Sequence, residues 1–298
     1  MTEIRAGTYN ILDGAGDGRA AGQLDMLTDA GLDMLFLAEC MGADWTPGGD
    51  LRREWETRLG MWSRGSLRPG DGDGAGRHSL IFGRSGRIHP GTYKPLRTRT
   101  RNWRGSGMLE VTLDGYPHTV TVMAVHAHTL CPDTRASEVR HTARCSISLR
   151  PGPAIMAGDW SSVHGRPEGQ RWQRLPPGDI EPDWDRVPPP LHPYHCLLDS
   201  AGNPVLDPAG QMVCDRRPSH LLTLADFRDG VADLIPDPHE RPITGGWEPG
   251  DAPRRVDRIY LRYLTPAGCA VLDGPRAAQL SDHFAVYLDI GLSETARS

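Results

Sequence analysis

The sequence predicts a layered α/β protein in which two sheets face each other, and three observations carry that prediction. Short apolar runs alternate with helical periodicity at both ends of the chain, one pair of runs flanks a tight Asp114-Gly115 turn, and helical segments are too few to cover a purely parallel doubly wound sheet. Arg5 to Ile11 is a strand leading into a Gly-rich turn. Arg19 to Ala30 places Leu24, Leu27 and Ala30 at helical spacing, and Asp33 to Glu39 is an apolar strand bounded by acids. Asp50 to Leu59 is a second helix, Gly65 to Gly76 a flexible loop, and Ser79 to Phe82 a strand. Gly107 to Leu113 and Thr119 to His126 form the antiparallel hairpin. Thr134 to Leu149 is the clearest helix, with Thr134 as N-cap and Pro151 as its stop.

Ala154 to Ala157 is a short buried strand ending at Gly158-Asp159. The stretch from Pro167 to Pro218 contains Pro188-Pro189-Pro190 and many further prolines, which fix φ and remove donors, so it is not regular core structure and is expected to be an ordered insertion. The alternation resumes at Asp226 to Leu234, with strands at Val256 to Leu261, Ala270 to Leu272 and Phe284 to Ile290. No internal repeat is visible. The expected organisation is one catalytic domain over residues 1–298 with a Pro-rich insertion at about 163–222.

Composition narrows the function. The 35 glycines and 26 prolines are about a fifth of 298 residues, below the roughly 25–30% at which disorder is suspected. A net charge of −5, from 38 acidic and 33 basic residues, gives no bulk attraction for polyanions. Lys94 is the single lysine, a bias best explained by codon usage in a GC-rich genome. Apolar stretches are far shorter than the roughly 20 residues of a membrane span, so no membrane partner is expected. Met1 to Arg5 lacks the apolar stretch of a secretion signal, and the expectation is a cytoplasmic monomer. Cys40, Cys131, Cys145, Cys196, Cys214 and Cys269 show no CxxC spacing and read as reduced thiols.

The informative feature is where polar residues fall. Asn10, Glu39, His126 and Asp159 each close a strand, Asp257 lies in Arg255-Val256-Asp257-Arg258-Ile259, and Ser281-Asp282-His283 precedes the last strand. Strand ends converge in layered folds, and carboxylates with amides supply hard oxygen ligands suited to Mg²⁺ or Mn²⁺ rather than Zn²⁺.

Thr8-Tyr9-Asn10-Ile11-Leu12, Leu37-Ala38-Glu39-Cys40, Val122 to His126 followed by Arg135 and Glu138, Ala157-Gly158-Asp159-Trp160-Ser161-Ser162, Gly230-Val231-Ala232-Asp233, and Arg255 to Tyr260 with Ser281-Asp282-His283-Phe284 occur in that order. In that order they resemble the endonuclease/exonuclease/phosphatase superfamily, the fold of pancreatic deoxyribonuclease. The resemblance implies a four-layer α/β sandwich of two mixed, mainly antiparallel sheets packed face to face with helices outside. It implies a divalent-metal-dependent phosphohydrolase that cleaves phosphodiester bonds in a nucleic acid or nucleotide. Glu39, Asn10 and Asp282 would hold Mg²⁺ or Mn²⁺. Asp159 would orient and deprotonate the water, Asp257 would orient His283, and His126 would donate to the phosphate or leaving group. The departure is Ser161, where the family has Asn in its GDxN motif. The family's tyrosine between the Glu and the His strand has no clear counterpart in Tyr93 or Trp103.

Plainer readings stand beside these. Asn10 alone fits a turn, Glu39 alone a surface carboxylate, and His128 competes with His126 because two residues on it shares the strand face. Asp13 to Gly18 and Asp71 to Gly74 lack the closing Glu of a calcium loop and read as turns. Arg97 to Arg104, with Trp103 interleaved, is either a nucleic-acid contact or a solvated loop. A small-molecule phosphate ester is the alternative substrate, and a catalytically silent binding protein retaining the fold is the reading from a different class.

Overall fold

The computed structural model describes residues 2–65, 77–96, 107–149, 151–246 and 251–292. The Asp71 to Gly74 turn, residues 66–76 of the expected loop and the Arg97 to Arg104 stretch with Trp103 lie outside the described residues.

The strands are β1 (Thr2–Asn10), β2 (Met34–Met41), β3 (Met61–Gly65), β4 (Arg77–Arg84), β5 (Ile88–Pro95), β6 (Gly107–Leu113), β7 (Val120–His126), β8 (Ala154–Asp159), β9 (Arg228–Asp229), β10 (Asp257–Arg262), β11 (Thr265–Leu272) and β12 (Ala285–Leu292). They form two six-stranded sheets, ordered β11-β12-β1-β2-β4-β3 and β5-β6-β7-β8-β10-β9. Each is antiparallel except for one parallel pair, β1 with β2 and β7 with β8. The helical segments are α1 (Leu12–Ala15), α2 (Ala20–Asp29), α3 (Asp50–Leu59), α4 (Pro132–Leu149), α5 (His192–His195), α6 (Arg217–Leu224), α7 (Gly230–Leu234) and α8 (Pro275–Leu280).

The layering follows from which side chains alternate. Ala6, Phe36, Val122, Ala157, Ile259 and Val286 meet between the sheets. Leu35 and Leu37 turn outward to Leu24, Leu27 and Trp55 of α2 and α3, while Met123 and Met156 turn outward to Val139 and Leu222 of α4 and α6. Both faces of the central strands are therefore apolar, which is why they read as continuous hydrophobic runs. The result is the α/β sandwich of two mixed sheets with helices outside.

Several elements depart from the sequence expectation. Helix α4 starts at Pro132 rather than after Thr134, because the Arg135 N–H already donates to Cys131 O at 2.9 Å; proline at the first position has no N–H to leave unsatisfied. β3 and β5 add strands that no alternation in the sequence marks. Both are edge strands, and β5 contains Pro90, Gly91 and Pro95 with a register shift between Pro90 and Tyr93, a composition that only an edge tolerates.

The Pro-rich stretch is ordered by short 3₁₀ turns and by an apolar cluster in which Val163, Trp184, Val187, Cys196 and Cys214 pack with Ala252 from the segment before β10. It also contains a repeat that periodicity did not reveal. Asp199 Oδ1 accepts from the N–H groups of Ala201 and Asn203, and eight positions on, Asp207 Oδ1 accepts from Ala209 and Gln211. Two Asx turns of one geometry follow each other.

Candidate active site

A period of two brings the polar strand ends together. Asn10 continues the inward series of Ile4 and Ala6, His126 that of Val122 and Ala124, Asp159 that of Ile155 and Ala157, and Asp257 that of Ile259 and Leu261 reversed in direction. Register aligns three of them, since His126 pairs with Asp159 and Asp159 with Asp257 across adjacent strands. Glu39 is out of phase, belonging with the outward Leu35 and Leu37. A bulge between Leu37 and Cys40 and a left-handed backbone at Glu39, φ 63°, swing it inward and return Cys40 to the helix side.

The groups meet at one end of the sandwich. Asn10 Nδ2 donates to Asp159 Oδ2 at 3.3 Å, and His126 Nε2 lies 3.4 Å from Asp159 Oδ2 and 3.6 Å from Glu39 Oε1. Asn10 Oδ1 accepts from Leu12 N–H at 3.1 Å and Glu39 Oε2 from Asp13 N–H at 3.0 Å, so the α1 turn orients both side chains. Gly14 sits in that turn with φ 73°, and a Cβ there would come within 2.8 Å of Met41 O. Asp13 lies in the same turn with a left-handed backbone of its own, φ 48°.

His283 Nδ1 is 2.7 Å from Asp257 Oδ2, and its Nε2 is 3.9 Å from Asp159 Oδ2. Burial pushes the Asp257 carboxyl up. Burial works against charge on the ring, but the adjacent Asp257 and Asp159 carboxylates outweigh it and raise the His283 pKa. Thr244 aligns the pair: its Oγ1 accepts from the N–H groups of Val256 and Asp257, and its carbonyl accepts from Phe284 N–H. Asp282 lies at the rim, 3.4 Å from Ser281 Oγ, which donates to Asn10 O at 2.8 Å.

Ser161 also has a left-handed backbone, φ 47°. Its N–H donates to Asp159 Oδ1 at 2.7 Å and its hydroxyl to Ala127 O at 3.2 Å, so it braces Asp159 against the residue after His126. Gly158 makes this close pairing possible, because a Cβ there would overlap the Val125 carbonyl. The other histidine in question, His128, turns away: its Nδ1 accepts from the N–H groups of Leu130 and Cys131 at the start of α4.

Beneath the site is a buried ionic network that sequence reasoning missed. Arg255 donates to Asp229 Oδ1 and Oδ2 at 3.0 and 2.9 Å and to Asp179 Oδ1 at 3.0 Å, and Arg241 donates to the same Asp179 oxygen at 2.9 Å. Asp229 caps α7 through the N–H groups of Val231 and Ala232. The Gly230 to Asp233 motif is thus anchored by the residue before it, while Asp233 pairs with surface Arg228. An arginine two residues before Asp257 was the available signal.

The comparisons agree with this architecture. Danio rerio (D. rerio) TDP2 complexed with single-strand DNA product superposes with TM-score 0.63 at 16% identity, over 98% of this chain and all of that one. The chain has the endonuclease/exonuclease/phosphatase fold. The human Nocturnin catalytic domain with bound sulfate anion gives TM-score 0.62 at 14% identity over 98% and 94% of the two chains. An endonuclease/exonuclease/phosphatase family protein from Bacteroides thetaiotaomicron gives 0.61 at 14% over 97% and 95%. No family model matches the sequence, and no curated protein matches it. No helix among the described residues is long and apolar enough to cross a membrane.

Proposed function

We propose that residues 1–298 form one catalytic domain that hydrolyses phosphodiester bonds in a nucleic acid or nucleotide with the help of a divalent cation. The observation that carries this reading is the meeting of Asn10, Glu39, His126, Asp159 and the Asp257–His283 pair at one end of the two sheets. The D. rerio TDP2 structure complexed with single-strand DNA product and the human Nocturnin structure with bound sulfate support a phosphate-ester substrate.

Among the described residues no three His, Cys, Asp or Glu side chains form a closed metal cage. The fit to Mg²⁺ or Mn²⁺ rests on the donors themselves: the Glu39 carboxylate and the Asn10 amide oxygen are hard oxygen ligands, and these ions take one or two carboxylates and fill their remaining positions with water and substrate phosphate. Glu39, the Asn10 amide oxygen and, at the rim, Asp282 are the hard donors that would hold the ion. Bound there, it would neutralise phosphate charge.

The chain's own groups would do the rest. Asp159 carries the water-orienting and deprotonating role, its second oxygen held by the Ser161 N–H. His283 donates from Nδ1 to Asp257 and presents Nε2 to the phosphate, and a raised pKa keeps that proton in place at neutral pH. His126 donates to a phosphate oxygen or the leaving group. A small-molecule phosphate ester is the second reading, favoured by the Pro-rich segment, which Arg135 ties to the loop after His126 through Tyr194 O and His128 O, each at 3.0 Å.

The test is a screen of purified protein with Mg²⁺ or Mn²⁺ against single-stranded DNA, duplex DNA and RNA oligomers beside p-nitrophenyl phosphate and bis-p-nitrophenyl phosphate. Cleavage of an oligomer is expected. Turnover of monoesters alone would contradict the phosphodiester reading, and no turnover anywhere would favour a silent binding protein.

A further inference from the structure

Cys196 and Cys214 face each other as an antiparallel bridge inside the Pro-rich segment. Leu197 N–H donates to Val213 O at 2.7 Å and Asp215 N–H to His195 O at 2.9 Å. Those bonds flank the two cysteines and make them a non-hydrogen-bonded pair, in which Cα atoms stand about 4.5 Å apart. A disulfide spans roughly 4.4–6.8 Å between Cα atoms. Both side chains are free thiols, 0% and 3% exposed, in one apolar cluster. Cys40, Cys145 and Cys269 belong to three other clusters, and Cys131 sits at the start of α4. The opposed placement therefore singles out one pair.

We propose that Cys196 and Cys214 form a disulfide by exchange with a low-molecular-weight disulfide such as glutathione disulfide. One protein thiolate attacks a glutathione sulfur, forming a mixed disulfide and expelling a glutathione thiolate. The second cysteine attacks the protein sulfur of that mixed disulfide, the Cys196–Cys214 bond forms, and a second glutathione leaves. Two protein thiols are oxidised, one glutathione disulfide is reduced to two glutathione thiols, and the two protons pass to the departing thiolates.

The bond would staple the strands that hold Arg135. That fully buried guanidinium donates to Tyr194 O and Asp215 Oδ2, just outside the two cysteines, and to His128 O and Thr129 O in the loop after His126. Closing the pair would fix one wall beside the candidate active site, although the chemistry of the pair does not depend on that site's reaction. Burial pushes both thiols up, so thiolate is scarce in the folded segment and exchange is fastest while the segment is open.

The test refolds the full chain from denaturant in a glutathione redox buffer and, in parallel, in reducing buffer, and also incubates native protein with glutathione disulfide. Free thiols are alkylated and the products cleaved at aspartate, because Asp199 and Asp207 lie between the cysteines while no arginine or lysine does. The expected result is a Cys196–Cys214 linked peptide as the main cross-link after oxidative refolding, appearing more slowly in native protein. The thermal midpoint should rise by about 5 °C over the reduced form, and Cys196→Ala or Cys214→Ala should abolish that rise. The wild-type peptide map decides the matter even if a variant folds poorly. Complete alkylation of both cysteines in oxidised protein with native circular dichroism, or linkage to other partners, would overturn the proposal.

Discussion

Replacing Arg255 by leucine removes the cation at the centre of the buried network under Asp257. The guanidinium is 3% exposed and makes three charge-assisted hydrogen bonds to Asp229 and Asp179, themselves 2% and 8% exposed. Removing one partner of a buried pair costs about 3–5 kcal/mol, because the remaining charge stays desolvated. Here the structure points to the lower end. Asp179 keeps Arg241, and Asp229 keeps the N–H groups of Val231 and Ala232. The expected loss is about 3 kcal/mol, which at roughly 2 °C per kcal/mol for a chain of this size lowers the midpoint by about 6 °C. Adding Asp229→Asn should restore part of it by removing one stranded charge while keeping the cap acceptor. Denaturant unfolding followed by circular dichroism measures both variants. A loss under about 1 kcal/mol in Arg255→Leu, or a further loss in the double variant, would refute the assignment of this network as a coupled charge cluster.

Three further outcomes follow from the geometry. Ser161→Asn suits the left-handed backbone, which asparagine adopts more readily than serine, and the longer amide should raise cleavage of a generic phosphodiester about tenfold, near 1.5 kcal/mol; lower turnover on every substrate with the fold intact would contradict it. Asp257→Asn and His283→Ala should each lower kcat by orders of magnitude and the double variant little more, since one hydrogen-bonded unit is broken only once; additive losses would show independent roles. His164 is buried beside Asp229, its Nδ1 3.5 Å from Asp229 Oδ2, and burial lowers its pKa to about 4, so the folded state binds fewer protons than the unfolded one between pH 6.5 and 4. Its contribution is therefore present above about pH 6.5 and lost as pH falls, by up to about 3 kcal/mol. Unfolding midpoints from pH 7 to 4.5 should fall less steeply in His164→Gln, and parallel slopes would contradict this.

Much of this arrangement is legible in the sequence because the central strands are buried on both faces and their polar ends interrupt apolar runs. Asn10, His126, Asp159 and Asp257 stand at positions where a period of two meets a strand end, so their convergence follows from the sheets. Glu39 is different. By parity it faces the helices, and only the bulge at Leu37 to Cys40 turns it to the site. The edge strands β3 and β5 were hidden because edges need neither alternation nor freedom from proline. The start of α4 is obscured because Thr134 looks like a cap while Pro132 already occupies the first turn. The Arg255, Asp229 and Asp179 network and the Cys196–Cys214 pair join residues far apart in sequence across an irregular segment, where no periodicity constrains the path.

The central claim is that Glu39 and its neighbours hold a cation that serves phosphodiester cleavage. It is tested most directly by titrating Mg²⁺ and Mn²⁺ into metal-stripped wild type and Glu39→Gln while following hydrolysis of the best substrate from the screen. The account predicts wild-type activity that appears with metal and vanishes with chelator. In Glu39→Gln, kcat/KM should fall by at least about a hundredfold, about 2.7 kcal/mol, with an unchanged unfolding midpoint and a higher metal requirement. Full activity in excess chelator, or a Gln variant with wild-type rate and metal dependence, would contradict it.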